Sequence, residues 1–110
     1  MEYVSGNIFI RQMHFENAGD AIEGHEHNFD HTTYVVRGAL RFEKLDASGN
    51  VERSIEKRAA EGHNWILIKA GVRHRITALE DHSMGHCIYS HRSPQGEIVQ
   101  EYDGWRKAVT

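Results

Sequence analysis

Apolar and polar positions alternate with a period of two along most of this chain, and β-branched and aromatic residues are frequent among the apolar ones. Side chains of a strand leave on alternate faces, so this rhythm predicts half-buried strands rather than helices. Strands are expected over Ile8–Phe15, His31–Arg37, Ala39–Leu45 and Val51–Arg58, and over residues 65–69, 74–79 and 84–90. Residues 21–27 read as an extended arm, and 97–102 as one more short strand. Turn-forming clusters separate them at 17–20, 46–50, 61–62, 70–73, 80–82 and 93–96. Gly38 joins two strands with no room for a loop, which predicts a tight bend on a permissive backbone. The polar alternation of Val51–Arg58 predicts a sheet edge, and residues 65–69 read as a buried strand. The tail from Gly104 reads as a helical turn or a disordered end. No helix is expected elsewhere. About eight to ten short strands with closely spaced turns make an all-β sandwich or barrel.

The 110 residues fit one domain, spanning 1–110, with a real core and little room for a second. A net charge of −3 gives no basic field for nucleic acid. Arg53, Lys57 and Arg58 cluster, but Glu52, Glu56 and Glu61 are interleaved with them, which predicts a solvated strand face. The first residues carry neither a basic region nor a long apolar run, so neither a signal peptide nor a membrane span is expected. One cysteine, Cys87, cannot close an intrachain disulfide, which suits a reducing cytoplasmic compartment.

Nine histidines change the picture: His14, His25, His27, His31, His63, His74, His82, His86 and His91. His25, His27 and His31 stand at i, i+2 and i+6. The offsets are even, so on one extended strand the three rings share a face. Imidazole is the commonest protein ligand for transition metals, and three converging imidazoles point to metal binding. His74, at the start of another apolar strand, is a fourth candidate.

Residues 19–38 resemble the first cupin motif, G-x5-H-x-H-x3-E-x6-G, through Gly19, His25, His27 and Gly38, with His31 where glutamate is usual. Residues 62–78 resemble the second, G-x5-P-x-G-x2-H-x3-N, through Gly62, Gly71 and His74. Here the first gap is one residue longer, Lys69 replaces the proline and Ala78 the asparagine. The resemblance implies a double-stranded β-helix, or jelly roll, with His25, His27, His31 and His74 around one divalent transition metal. Iron, manganese, nickel, copper and zinc all suit imidazole. Four neutral imidazoles leave the ion's charge uncancelled, which favours anionic or chelating oxygen ligands. Losing the glutamate also removes a nearby base.

The expected function is therefore a metal-dependent cupin enzyme acting on a small oxygen-rich molecule, with dioxygenase chemistry foremost. A non-redox lyase or isomerase, and a ligand-binding module without catalysis, are the alternatives. Small cupins pair through an outer sheet, and with edge strands available a homodimer is expected. On the last strand either His86 or the Cys87/Tyr89 pair lines the pocket. Tyr89 is the candidate hydrogen-bond donor or proton carrier. Cys87 reads as a buried structural thiol. Inward alternation from His74 places Ile76 and Ala78 in the barrel. Asp30 is expected to hold the turn, with orienting a histidine ring as the other option; Asn28 is expected to satisfy backbone groups, and Phe29 to join the core. Arg73 and Arg75 read as solvated, with a place at the pocket mouth as the other option. His14, His63, His82 and His91 carry no spacing logic.

Overall fold

A computed structural model of the chain describes residues 1–25 and 29–98, with the backbone alone for 24 and 25. The described residues form β1 (Glu2–Ser5), β2 (Ile8–Phe15), β3 (Ala21–His25), β4 (His31–Arg37), β5 (Ala39–Leu45), β6 (Val51–Arg58), β7 (Trp65–Ile68), β8 (His74–Ala78) and β9 (Ser83–Ser90), and no helix. One sheet has five strands in the order β1-β2-β9-β4-β7; the other has four in the order β3-β8-β5-β6. All the strand pairings are antiparallel. The inner faces of the two sheets enclose the core, which is the jelly roll expected from the strand pattern and the motifs.

Alternation decides which residues enter it. β4 buries His31, Thr33 and Val35; β8 buries His74, Ile76 and Ala78; β9 buries Ser83, Gly85, Cys87 and Tyr89. One end of the barrel is filled by apolar side chains, among them Met13, Phe15, Val35, Leu40, Phe42 and Ile76. Each large aliphatic or aromatic side chain so buried stabilises the fold by about 1.5–3 kcal/mol. The other end is different, because there the inward positions are His31, His74, Tyr89 and Phe9.

Gly38 forms the predicted bend with φ +74°, and a Cβ there would overlap the Ser83 hydroxyl. β6 is the edge of the four-stranded sheet, and its acidic residues pair with neighbouring cations: Arg41 with Glu56 at 3.3 Å and Lys44 with Glu52 at 3.4 Å. The 46–50 hairpin is held by Asp46, whose carboxylate accepts the N–H groups of Ser48 and Asn50 at 2.9 and 2.8 Å. Those bonds hold its pKa below the usual value, with the Asn50 amide the leading cause.

One expectation needs correction, one strand was not anticipated, and one expected strand lies mostly outside the described residues. Residues 65–69 are not a buried strand: β7 is the outer edge of the five-stranded sheet, with Trp65 45% and Leu67 46% exposed and Ile68 buried. An apolar run cannot say how many of its faces are covered. The N-terminal residues gave no strand signal, yet Glu2–Ser5 pairs with β2. Of the strand expected at 97–102, an isolated bridge between Arg92 and Ile98 is seen, while residues 99–102, and the tail from 104, lie outside the described residues.

Candidate metal centre

Strand direction brings the candidate residues to one end of the barrel. β9 runs antiparallel to both β2 and β4, so Tyr89 near its end lies beside the starts of those two strands, at Phe9 and His31. In the facing sheet, β3 ends at His25 directly opposite His74, the first residue of β8. The backbone thus sets His25 and His74 side by side, and His31 faces them from the other sheet, so the even spacing does not act through one shared strand face: His25 ends β3 and His31 opens β4 in the opposite sheet.

His31 and His74 are both 3% exposed, and their ring centroids are 5.5 Å apart. His74 Nδ1 is 3.1 Å from the Val72 carbonyl. A carbonyl can only accept, so Nδ1 carries the hydrogen and Nε2 of the neutral ring carries the lone pair. That is how a ligating imidazole is usually held, its second nitrogen donating to a backbone oxygen. The spacing also fits. A ring centroid lies about 3.2 Å from an ion bound through one nitrogen at about 2.1 Å, so two rings up to about 6 Å apart can share one ion.

The other two expected ligands are less fully placed. Only the backbone of His25 is described, and His27 and Asn28 lie outside the described residues. Among the described residues no group of three or more His, Cys, Asp or Glu side chains gathers as a metal site.

Tyr89, not His86, faces inward. It is 6% exposed, its ring centroid lies 6.5 Å from that of His31, and its hydroxyl is shielded from solvent. His86 points outward and accepts a hydrogen bond from Gln12 Nε2 at 3.0 Å. Phe29 is half-buried rather than core. It packs on Tyr89 at 4.5 Å and on His31 at 5.9 Å, and lines a cavity of about 550 Å³. Asn7, Asp30, Ser90, Arg92 and Pro94 are among the other residues around that cavity. Phe9 stacks on Tyr89 at 4.8 Å, completing an aromatic layer at the histidine end.

The Asp30 carboxylate bonds across to the β7–β8 connection, at the Ala70 N–H. Arg75 does not reach the mouth. It lies on the outer face against Glu43 at 2.9 Å, which raises its pKa, and is 3.8 Å from Glu23. Arg73 is exposed.

His91 was passed over although it continues the inward series Cys87, Tyr89. It is 7% exposed and stacks on Phe9 at 5.8 Å. The period-two signal was present, but a histidine beyond the strand and outside the motifs gave no chemical reason to single it out.

Cys87 is a buried structural thiol, 3.4 Å from Thr33 Oγ1 and 3.8 Å from Met13 Sδ. Burial pushes its pKa up, against smaller opposing effects of Thr33 and Arg11. The thiolate is therefore scarce and shielded at neutral pH. Ellman's reagent is expected to modify the native protein at least about 100-fold more slowly than the denatured chain. Equal rates would mean that the thiol reaches solvent.

Comparison with protein-family models finds no match, and comparison with curated proteins none either. Solved structures do match. KdgF from Halomonas sp. aligns with a TM-score of 0.66 at 18% identity, over 86% of this chain and 79% of that one. A cupin-2 domain protein from Shewanella frigidimarina aligns at 0.60 and 19% identity, over 80% and 74%. A variant of Bacillus subtilis oxalate decarboxylase aligns at 0.64 and 17% identity, over 92% of this chain but 24% of that longer one. The chain has the cupin fold.

Proposed function

We propose that this chain is a metal-dependent cupin enzyme, with one divalent transition metal held by His25, His27, His31 and His74, acting on a small anionic or chelating molecule in dioxygenase fashion. The observation that carries the reading is the pair of buried imidazoles, His31 and His74, facing each other from opposite sheets at 5.5 Å, with His74 held through Nδ1. When bound, the metal supplies Lewis acidity and, if redox-active, a path for electrons between a chelated substrate and dioxygen.

The protein's own residues do the rest. The imidazoles orient. The Tyr89 hydroxyl donates a hydrogen bond to a substrate oxygen or carries a proton, which His31 cannot do in place of the missing carboxylate while it serves as a ligand. Phe9, Phe29 and Tyr89 keep water from this end. The test is metal content by mass spectrometry of untagged protein grown without added metal, followed by oxygen uptake with catecholates and β-diketones. About one iron, manganese, nickel or copper per chain with substrate-dependent uptake supports the reading. Zinc alone removes the dioxygenase part, and an absence of metal overturns the whole.

The partner we propose is a second copy of the chain. Tyr3, Ile8, Tyr34, Val36, Trp65 and Leu67 lie on the outer face of the five-stranded sheet, each 41–54% exposed. Cross-strand register joins Tyr3, Ile10, Ile88, Thr32 and Leu67 in one row, and Tyr34 with Trp65 in the next. Exposed apolar side chains gathered on one sheet face are the kind of surface that protein contacts cover. Light scattering is expected to give twice the chain mass, and Trp65→Glu with Leu67→Lys the single mass. A monomeric parent protein would refute the pairing.

A further inference from the structure

Two connections meet beside the histidines. One is the segment entering β4, whose last residue before His31 is Asp30. The other is the turn between β7 and β8, where the chain crosses from the five-stranded to the four-stranded sheet. Asp30 Oδ1 accepts a hydrogen bond from the Ala70 N–H at 2.8 Å, and Oδ2 lies 3.7 Å from Lys69 Nζ. Inside the turn the Val72 N–H donates to the Lys69 carbonyl at 3.2 Å, and the Val72 carbonyl accepts from His74 Nδ1 at 3.1 Å. A continuous series of bonds therefore runs from the carboxylate beside His31, through the turn, to the ring of His74.

We propose that Asp30 is a positioning residue for the candidate metal centre: its carboxylate clasps the crossover turn and so sets the separation and ring orientation of His31 and His74. The inference rests on the metal reading above. His31 and His74 belong to different sheets, so no shared ladder fixes their 5.5 Å spacing. His31 pairs with Ile68 at the end of β7, and the crossover from there leads to His74. Lys69 stands where the second cupin motif has proline, whose ring would stiffen the turn by itself. Here the constraint comes instead from across the barrel mouth.

The two halves of the clasp are unequal. The side chains of the ion pair are 52% exposed at Asp30 and 67% at Lys69, so solvent screens it and it contributes little. The charge-assisted bond to the Ala70 amide is short and does most of the holding. Hence Lys69→Ala should matter little, and Asp30→Asn, which keeps an acceptor oxygen in place, only slightly more. Asp30→Ala should matter most.

Cobalt(II) titration of the metal-free protein tests this, read by the visible d–d spectrum and by competition with a chelator. Groups that orient metal ligands are typically worth about 10–100-fold in affinity. Asp30→Ala is expected to bind cobalt about that much more weakly, with a changed spectrum and an unchanged melting temperature of the metal-free form. Asp30→Asn and Lys69→Ala should stay within about threefold of the parent. Should Asp30→Ala lose its far-ultraviolet circular dichroism, Asp30→Glu, which moves the carboxylate off the amide while keeping its charge, takes its place in the same comparison. Parent-like affinity and spectrum in the informative variant overturn the clasp alone. A parent protein that binds no cobalt overturns the metal reading, and the clasp with it.

Discussion

His31→Ala and His74→Ala are each expected to lower the affinity for a divalent transition metal by at least about 100-fold, while His86→Ala is expected to leave it unchanged. The three residues separate position from residue type. All are histidines on strands, but His31 and His74 enter the barrel from facing sheets and His86 leaves through the outer face. Removing a ligand also removes the stabilisation that metal confers, which rises with ligand concentration over Kd. The melting temperature of the metal-loaded parent should therefore exceed that of either inward variant, with the metal-free forms much closer together. Isothermal titration with cobalt(II) or zinc(II) provides the measurement. Equal affinities in all three variants would mean that metal, if bound, sits elsewhere.

Gly38→Ala is expected to cost about 3 kcal/mol or more, lowering the melting temperature by on the order of 10–20 °C. Two effects add. The backbone at φ +74° is one that L-residues adopt at about 1–2 kcal/mol, and a Cβ would meet the Ser83 hydroxyl, Cα and Cβ at once. Ser83 cannot step aside cheaply. It is fully buried, and its hydroxyl accepts from the Ala39 N–H at 3.1 Å and lies 2.8 Å from the Glu80 carbonyl. Moving it strands buried backbone groups where β4 turns into β5. Gly49→Ala is the control, since its φ of +87° is equally unfavourable but nothing lies within 4 Å of a Cβ there. It should cost only the backbone share, about 1 kcal/mol. Thermal melts of the two variants give the comparison, and similar losses would mean that the Ser83 contact is relieved by small shifts.

The candidate site was legible where chemistry and period coincided. His31 and His74 were named from spacing and motif, and both are found inside the barrel. Tyr89 against His86 was an even choice from sequence, because period two divides a strand into faces without saying which is inner. The buried series Ser83, Gly85, Cys87, Tyr89 resolves it. Phe29 was assigned to the core, yet it is half-buried and lines a cavity that segments far apart in sequence create together. Asp30 was given the turn, and its longer reach to Ala70 depends on a contact forty residues away.

By itself the sequence determined the strand rhythm, the all-β class, the bend at Gly38 and which histidines are candidates. Each of these follows from local stereochemistry: the alternation of a pleated strand, the tolerance of glycine, the nitrogen donors of imidazole. Tertiary structure alone decided that β7 is an edge while the polar alternation of β6 had already marked another, and so why Trp65 and Leu67 face outward. It also decided which face of β9 is buried and how far apart His31 and His74 sit. Those properties are relations between two sheets, set by crossovers and by what each face finds to pack against, and no local pattern along the chain carries them.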